Sequence, residues 1–176
     1  PDWRMALAMV QPQLEAQQQD RRPYRPNLGW IYLTDHHAAQ AEALLDELRR
    51  RWPGVSWVGG VGIGVSASGV EYFDEPALSL MLAELPAAQW RVFSGARPLG
   101  DFAAHTAQVH ADPATPDLAE LIADMSGRTA SGYLFGGLAS TRERSLHIAD
   151  GIFSGGLSGV LFGPGVGLIS RVTQGC

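Results

Sequence analysis

Glycine pairs set inside strand-like apolar runs are the strongest constraint in this 176-residue chain. The last third reads 132-GYLFGGLAS-140, then 155-GGLSGVLFGPGVGLISRVTQGC-176, ending on the chain's one cysteine. A third pair, Gly59-Gly60, closes VSWVGG. A glycine has no Cβ, so paired glycines at a strand end admit another backbone or a ligand at close range. The pattern points to glycine-paired strand ends that frame a recess.

The surrounding periodicities supply the other elements. Asp2 to Gln19 reads as a helix with Pro12 as its weak point, and Gln17 to Asn27 as a polar linker. The expected division is therefore residues 1–27 as helix and linker and 28–176 as one ligand-binding domain. Leu28 to Thr34 is an apolar strand, Asp35 an N-cap, and Ala38 to Arg51 a helix with Leu44, Leu45 and Leu48 on one face. Arg49 to Arg51 suit the negative end of that helix, Pro53-Gly54 stops it, and Val55 to Val58 is the next strand.

Val70–Phe73, Leu78–Leu85 and Trp90–Phe93 read as antiparallel strands, Phe102 to Val109 as a helix, and His110 to Asp117 as a loop. Asp117 to Met125 is a further helix, followed by strands near Tyr133–Phe135, Leu146–Ala149, Ser158–Phe162 and Gly167–Val172. No repeat at a solenoid period is visible. The fold class is α/β: a mixed, largely antiparallel sheet or pair of stacked sheets with helices packed outside.

Composition excludes several functions. The net charge of −5 with 13 basic residues argues against a nucleic-acid surface. All 13 are arginine, which removes a Walker-type phosphate loop and any Schiff-base lysine. One cysteine forms no internal disulfide, no Cys/His set has zinc spacing, and a cytoplasmic location is expected. No apolar run reaches membrane-spanning length.

The chemistry-bearing candidates are weak individually. Gly62 to Ala67 fits G-x-G-x-x-A, but no helical period follows to hold a pyrophosphate, so a strand-to-strand turn is the better reading. Ser140, Ser154, Ser158 and Ser170 lie among glycines, yet Gly155-Gly156-Leu157-Ser158-Gly159 sets its serine one residue late for a nucleophile elbow. Histidines 36, 37, 105, 110 and 147 are individually competent as axial haem ligands, a role that needs one imidazole and an apolar pocket. Cys176 is a nucleophile only if its thiol pKa is lowered.

The order LGWIYLT, helix, WPGVSWVGGVGIG, LSLMLAEL, HADPATPDLAELIADM, GYLFGGLAS, GGLSGVLFG, VTQGC resembles the FIST domain family. Ala111-Asp112-Pro113, Gly136 to Ser140, Ser158 to Val160 and Gln174 to Cys176 are the pieces that carry the resemblance, which spans the chain from Leu28 onward. It implies a sensory module of bacterial signal transduction that binds an amino acid or related metabolite. In some members it implies haem binding and nitric oxide sensing. It also implies a C-terminal FIST half or a signalling output protein as partner, so that this chain is half of a larger two-part fold, with a homodimer as the other way to complete it.

The expected ligand rim is Gly59, Gly60, Gly136, Gly137, Ser140, Gly155, Gly156 and Cys176, binding without turnover. The alternatives are a haem-based sensor and a cysteine- or serine-dependent hydrolase or transferase at the same rim.

Overall fold

A computed structural model describes residues 2–18, 23–67 and 69–171. The described residues form two stacked β-sheets with helices on the outer faces, within the expected fold class. In the first sheet β1 (Leu28–Thr34) lies between β2 (Ser56–Gly62), parallel, and β5 (Leu78–Ala83), antiparallel. Strand β9 (His147–Ala149) pairs antiparallel with the far edge of β2, and β10 (Ile152–Phe153) completes the hairpin. In the second sheet β7 (Thr106–Ala111) lies between β8 (Leu134–Leu138), parallel, and β11 (Leu157–Phe162), antiparallel, with β6 (Trp90–Phe93) beyond β11. A separate hairpin is made by β3 (Gly64–Ala67) and β4 (Val70–Phe73).

Strand alternation sorts the side chains into three cores. Ile31 and Leu33 of β1 face outward, where Leu44, Leu45 and Leu48 of α2 (Ala41–Arg51) and Trp3 and Leu7 of α1 (Trp3–Gln18) cover them. Each of these buried leucines contributes roughly 2 kcal/mol by area. Leu28 and Trp30 face inward and pack with Val160 and Phe162 of the opposite sheet. Ala107, Val109 and Leu161 face Met125 of α3 (Leu118–Gly127) on the other outer side.

Four expectations are corrected. Helix α1 runs through Pro12 without a break. Asp35 does not cap a helix through its carboxylate; it opens a 3-10 turn (Asp35–Gln40), and its carboxylate is taken by the Arg142 guanidinium at 2.8 Å on each oxygen. The expected helix at 102–109 is instead the lead into β7 and most of that strand, whose Ala107 and Val109 enter the outer core while Gln108 and His110 face the opposite sheet, so two-residue periodicity wins over the helical propensity of the alanines. The expected strand at Gly167–Val172 is absent over 167–171, and Val172 lies outside the described residues.

The two halves of the chain share one plan. Strand β1, helix α2 and parallel strand β2 correspond to β7, α3 and β8, and in each the antiparallel neighbour (β5 or β11) follows. The registers coincide: Ile31 faces Gly59 and Leu80, while Val109 faces Gly136 and Gly159. The glycine pairs Gly59-Gly60 and Gly136-Gly137 therefore occupy equivalent places. A Cβ on Gly59 would sit 1.8 Å from the Ile31 carbonyl oxygen, and one on Gly136 would sit 1.8 Å from that of Val109. Only glycine lets these parallel strands approach.

Candidate functional site

A cavity of about 1190 Å³ opens beside β8. Its walls are the main chain of β8, the inward side chains of β7, Tyr32 of β1, His147 of β9 and the segment 164–171. The two-residue alternation of β7 turns Gln108 and His110 toward the opposite sheet, where Trp30 and Tyr32 come from the equivalent positions of β1. These four side chains form one directed chain of hydrogen bonds.

The Trp30 indole N–H donates to Gln108 Oε1 at 2.6 Å, and Gln108 Nε2 donates to the Tyr32 hydroxyl oxygen at 3.1 Å. The Tyr32 hydroxyl has a single proton and lies 2.8 Å from His110 Nε2. That proton goes to Nε2, so His110 is neutral with its hydrogen on Nδ1. Burial pushes His110 down to about 4, with nearby His147 adding to the effect, and pushes Tyr32 up to about 12. His110 Nδ1 is buried and has no hydrogen-bond partner.

His147 takes the opposite tautomer. Its Nε2 lies 3.0 Å from the Gly155 carbonyl, which can only accept, so Nε2 carries the hydrogen. Nδ1 is then bare and accepts from the Ser158 hydroxyl at 2.5 Å. Burial holds His147 below its ordinary value as well.

Three of the eight expected rim residues line the cavity: Gly60, Gly136 and Gly137. Gly59 is not in its wall and serves the β1–β2 approach described above. Ser140 is exposed, with its N–H donating to Val61 O at 3.2 Å. Gly155 and Gly156 have left-handed φ of 74° and 70°, and their N–H groups are consumed by Asp112 Oδ2 at 2.9 Å and Thr115 Oγ1 at 2.7 Å. They build the turn that places His147's acceptor. Cys176 lies outside the described residues. Tyr32, Gln108, His110 and His147 escape the rim expectation; the signal for the first three is a polar group at every second place in an otherwise apolar strand.

The arrangement narrows the chemistry. An axial haem ligand needs an imidazole nitrogen with a free lone pair. The bare nitrogens of His110 and His147 already accept from Tyr32 and Ser158, whereas His105 stands exposed at the cavity rim. Ser158, His147 and Asp112 bring serine, imidazole and carboxylate near one another, but Ser158 is 0% exposed and is not in the cavity wall. A substrate does not reach it. Among the described residues no cluster of three or more His, Cys, Asp or Glu side chains could hold a metal ion.

The sequence profile of the FIST N domain family matches residues 27–176. No curated protein and no solved structure matches the chain. No helix among the described residues is long and apolar enough to cross a membrane.

Proposed function

The chain belongs to the FIST N domain family, whose members are sensory domains of signal-transduction proteins, and from that premise we propose that the cavity beside β8 is its small-molecule site. One observation carries this reading. The cavity joins exposed strand main chain at Gly136 and Gly137 to a buried, neutral Tyr32–His110 pair and to the apolar surface of Leu134, Phe135 and Leu138. Such a mixture of apolar wall and a few fixed polar groups is what small-ligand sites use.

The ligand is an amino acid or a related metabolite, and the charges favour the relative. None of the residues lining the cavity is acidic, whereas Arg171 stands at its rim. A carboxylate finds a partner there and an ammonium group does not, which favours a keto or hydroxy acid with an apolar body. The ligand is bound without turnover and its presence is passed to a C-terminal FIST half or an output protein in the cytoplasm. Thermal unfolding against amino acids, the matching keto acids and haem tests this. A ligand at one hundred times its Kd adds about 2.7 kcal/mol to stability, and keto acids are expected to shift the transition most. Transitions that stay unmoved by all of the amino and keto acids at millimolar concentration would refute the reading.

A further inference from the structure

Among the described residues the far edge of β8 has no strand beside it. Ala139 N–H donates to Ala111 O at 2.8 Å, so alternation turns Phe135 and Gly137 toward β7 and leaves the N–H and C=O groups of Leu134, Gly136 and Leu138 pointing away. No described residue hydrogen-bonds to them. The edge carries no charge and no proline, and Leu138 is 55% exposed, so the side-chain protections of an open edge are missing.

The equivalent edge in the other half is filled. Strand β2 pairs antiparallel with β9, Gly59 facing Ile148 and Gly60 facing His147. The positive φ of Gly59, 150°, does not prevent that pairing, and Gly136 has nearly the same φ, 139°. Strand β9 follows β8 in the chain, crosses to the first sheet and packs over β7 and β11. Strand β3 follows β2 in the same way and packs over β1 and β5. His147 of β9 meets Ser158, whose equivalent is Ser79, and Ser79 lines a smaller cleft together with Ser66 of β3. In seat and sequence order, β3–β4 is the counterpart of β9–β10.

We propose that the β3–β4 hairpin is the strand partner of β8, pairing antiparallel with its open edge and closing the cavity, and that the structure shows the open member of this two-state pair. The hairpin is tethered at the right place. Ser140 N–H, just past β8, donates to Val61 O, just before β3, and the Arg142 guanidinium binds the Asp74 carboxylate at the end of β4. Its free edge is also identified. Asp74 N–H donates to Ile63 O, so Ile63, Val65 and Ala67 face β4 while Gly64 and Ser66 offer their groups outward. Val70, Tyr72 and Phe73 are exposed in the open arrangement, Phe73 at 69%.

Residue-resolved hydrogen exchange of the whole chain tests the pairing, with two proline variants as a matched pair. Ser66 and Glu71 face each other in the hairpin, and neither N–H serves the β3–β4 ladder. Ser66→Pro removes a donor facing β8, whereas Glu71→Pro removes one on the opposite edge. The closed state predicts that the amides of Leu134, Gly136 and Leu138 are protected in the unmodified chain. Ser66→Pro lowers that protection by about tenfold or more, while Glu71→Pro leaves it and neither changes Gly59 or Val61. Should Ser66→Pro fail to fold, replacing residues 64–73 by a glycine–serine linker gives the same contrast. Unprotected β8 amides in the unmodified chain, equal loss in both variants, or protection that grows with protein concentration (a second copy on the edge) would each overturn the proposal. No ligand is needed for the readout, so it stands apart from the small-molecule reading.

Discussion

Adjacent glycines with opposite tolerances give the sharpest stability prediction. An alanine Cβ at Gly136 falls 1.8 Å from the Val109 carbonyl oxygen, where ordinary contact is about 3.5 Å, so β7 and β8 must separate by more than an ångström. Its φ of 139° adds strain of about 1–3 kcal/mol, and the overpacking adds about 1–3 kcal/mol more. Gly136→Ala is thus expected to cost about 4 kcal/mol, a fall of roughly 8–16 °C in Tm for a chain of this size. At Gly137 a Cβ meets nothing within 4 Å. Gly137→Ala is expected to fall within about 0.5 kcal/mol of the unmodified protein, because the lost freedom of the unfolded chain offsets small local changes. Urea unfolding followed by circular dichroism, with thermal melts beside it, reads both. The equivalent Gly59 and Gly60 repeat the contrast, with 1.8 Å to Ile31 O against 3.5 Å to Leu146 O. A Gly136→Ala protein as stable as its parent, or a Gly137→Ala protein equally damaged, would refute the close-approach reasoning and the correspondence of the two halves with it.

Three further outcomes follow from the polar groups. Tyr32→Phe leaves the Gln108 N–H and His110 Nε2 without their partner, and urea unfolding should show a loss of about 2 kcal/mol. His110 titrates near 4 when folded and near 6.5 when unfolded. Its contribution to stability is complete above about pH 6.5 and falls as pH drops toward 4, by up to about 3 kcal/mol, a slope that His110→Gln should remove. Asp35 is held well below the usual carboxylate range, first by its hydrogen bonds to Arg142, so its contribution is present above the unfolded carboxylate value and lost at lower pH. Arg142→Gln should shift the acid-unfolding midpoint upward, and an unchanged midpoint would deny the ion pair that role.

Local pattern made much of the first half legible. The α2 stripe of Leu44, Leu45 and Leu48, the arginines at its end and the apolar run of β1 each follow from nearest-neighbour physics, and the structure contains all of them. The misreading of 102–109 has a definite source. FAAHTAQV is alanine-rich and satisfies a helical spacing, and only the partners of β7, namely β8 and β11, make alternation the better solution. The run at 167–171 has strand composition but no ladder among the described residues, which shows that propensity without a partner does not make a strand. Glycine pairs pointed to close approach, and Gly60, Gly136 and Gly137 do line the cavity. What approaches Gly59 and Gly136 most closely is the neighbouring strand. The Trp30–Gln108–Tyr32–His110 chain joins residues 76 or more positions apart, and only the stacking of two similar halves brings them together.

The most direct test of the cavity as a sensory site is a two-dimensional amide NMR titration of the chain with an aromatic keto acid. Saturable shifts are expected at Gly60, Gly136 and Gly137, accompanied by movement of the His110 ring signals. Shifts that scatter over the outer helices, or signals at those positions that stay fixed while other parts of the chain respond, would contradict the cavity reading.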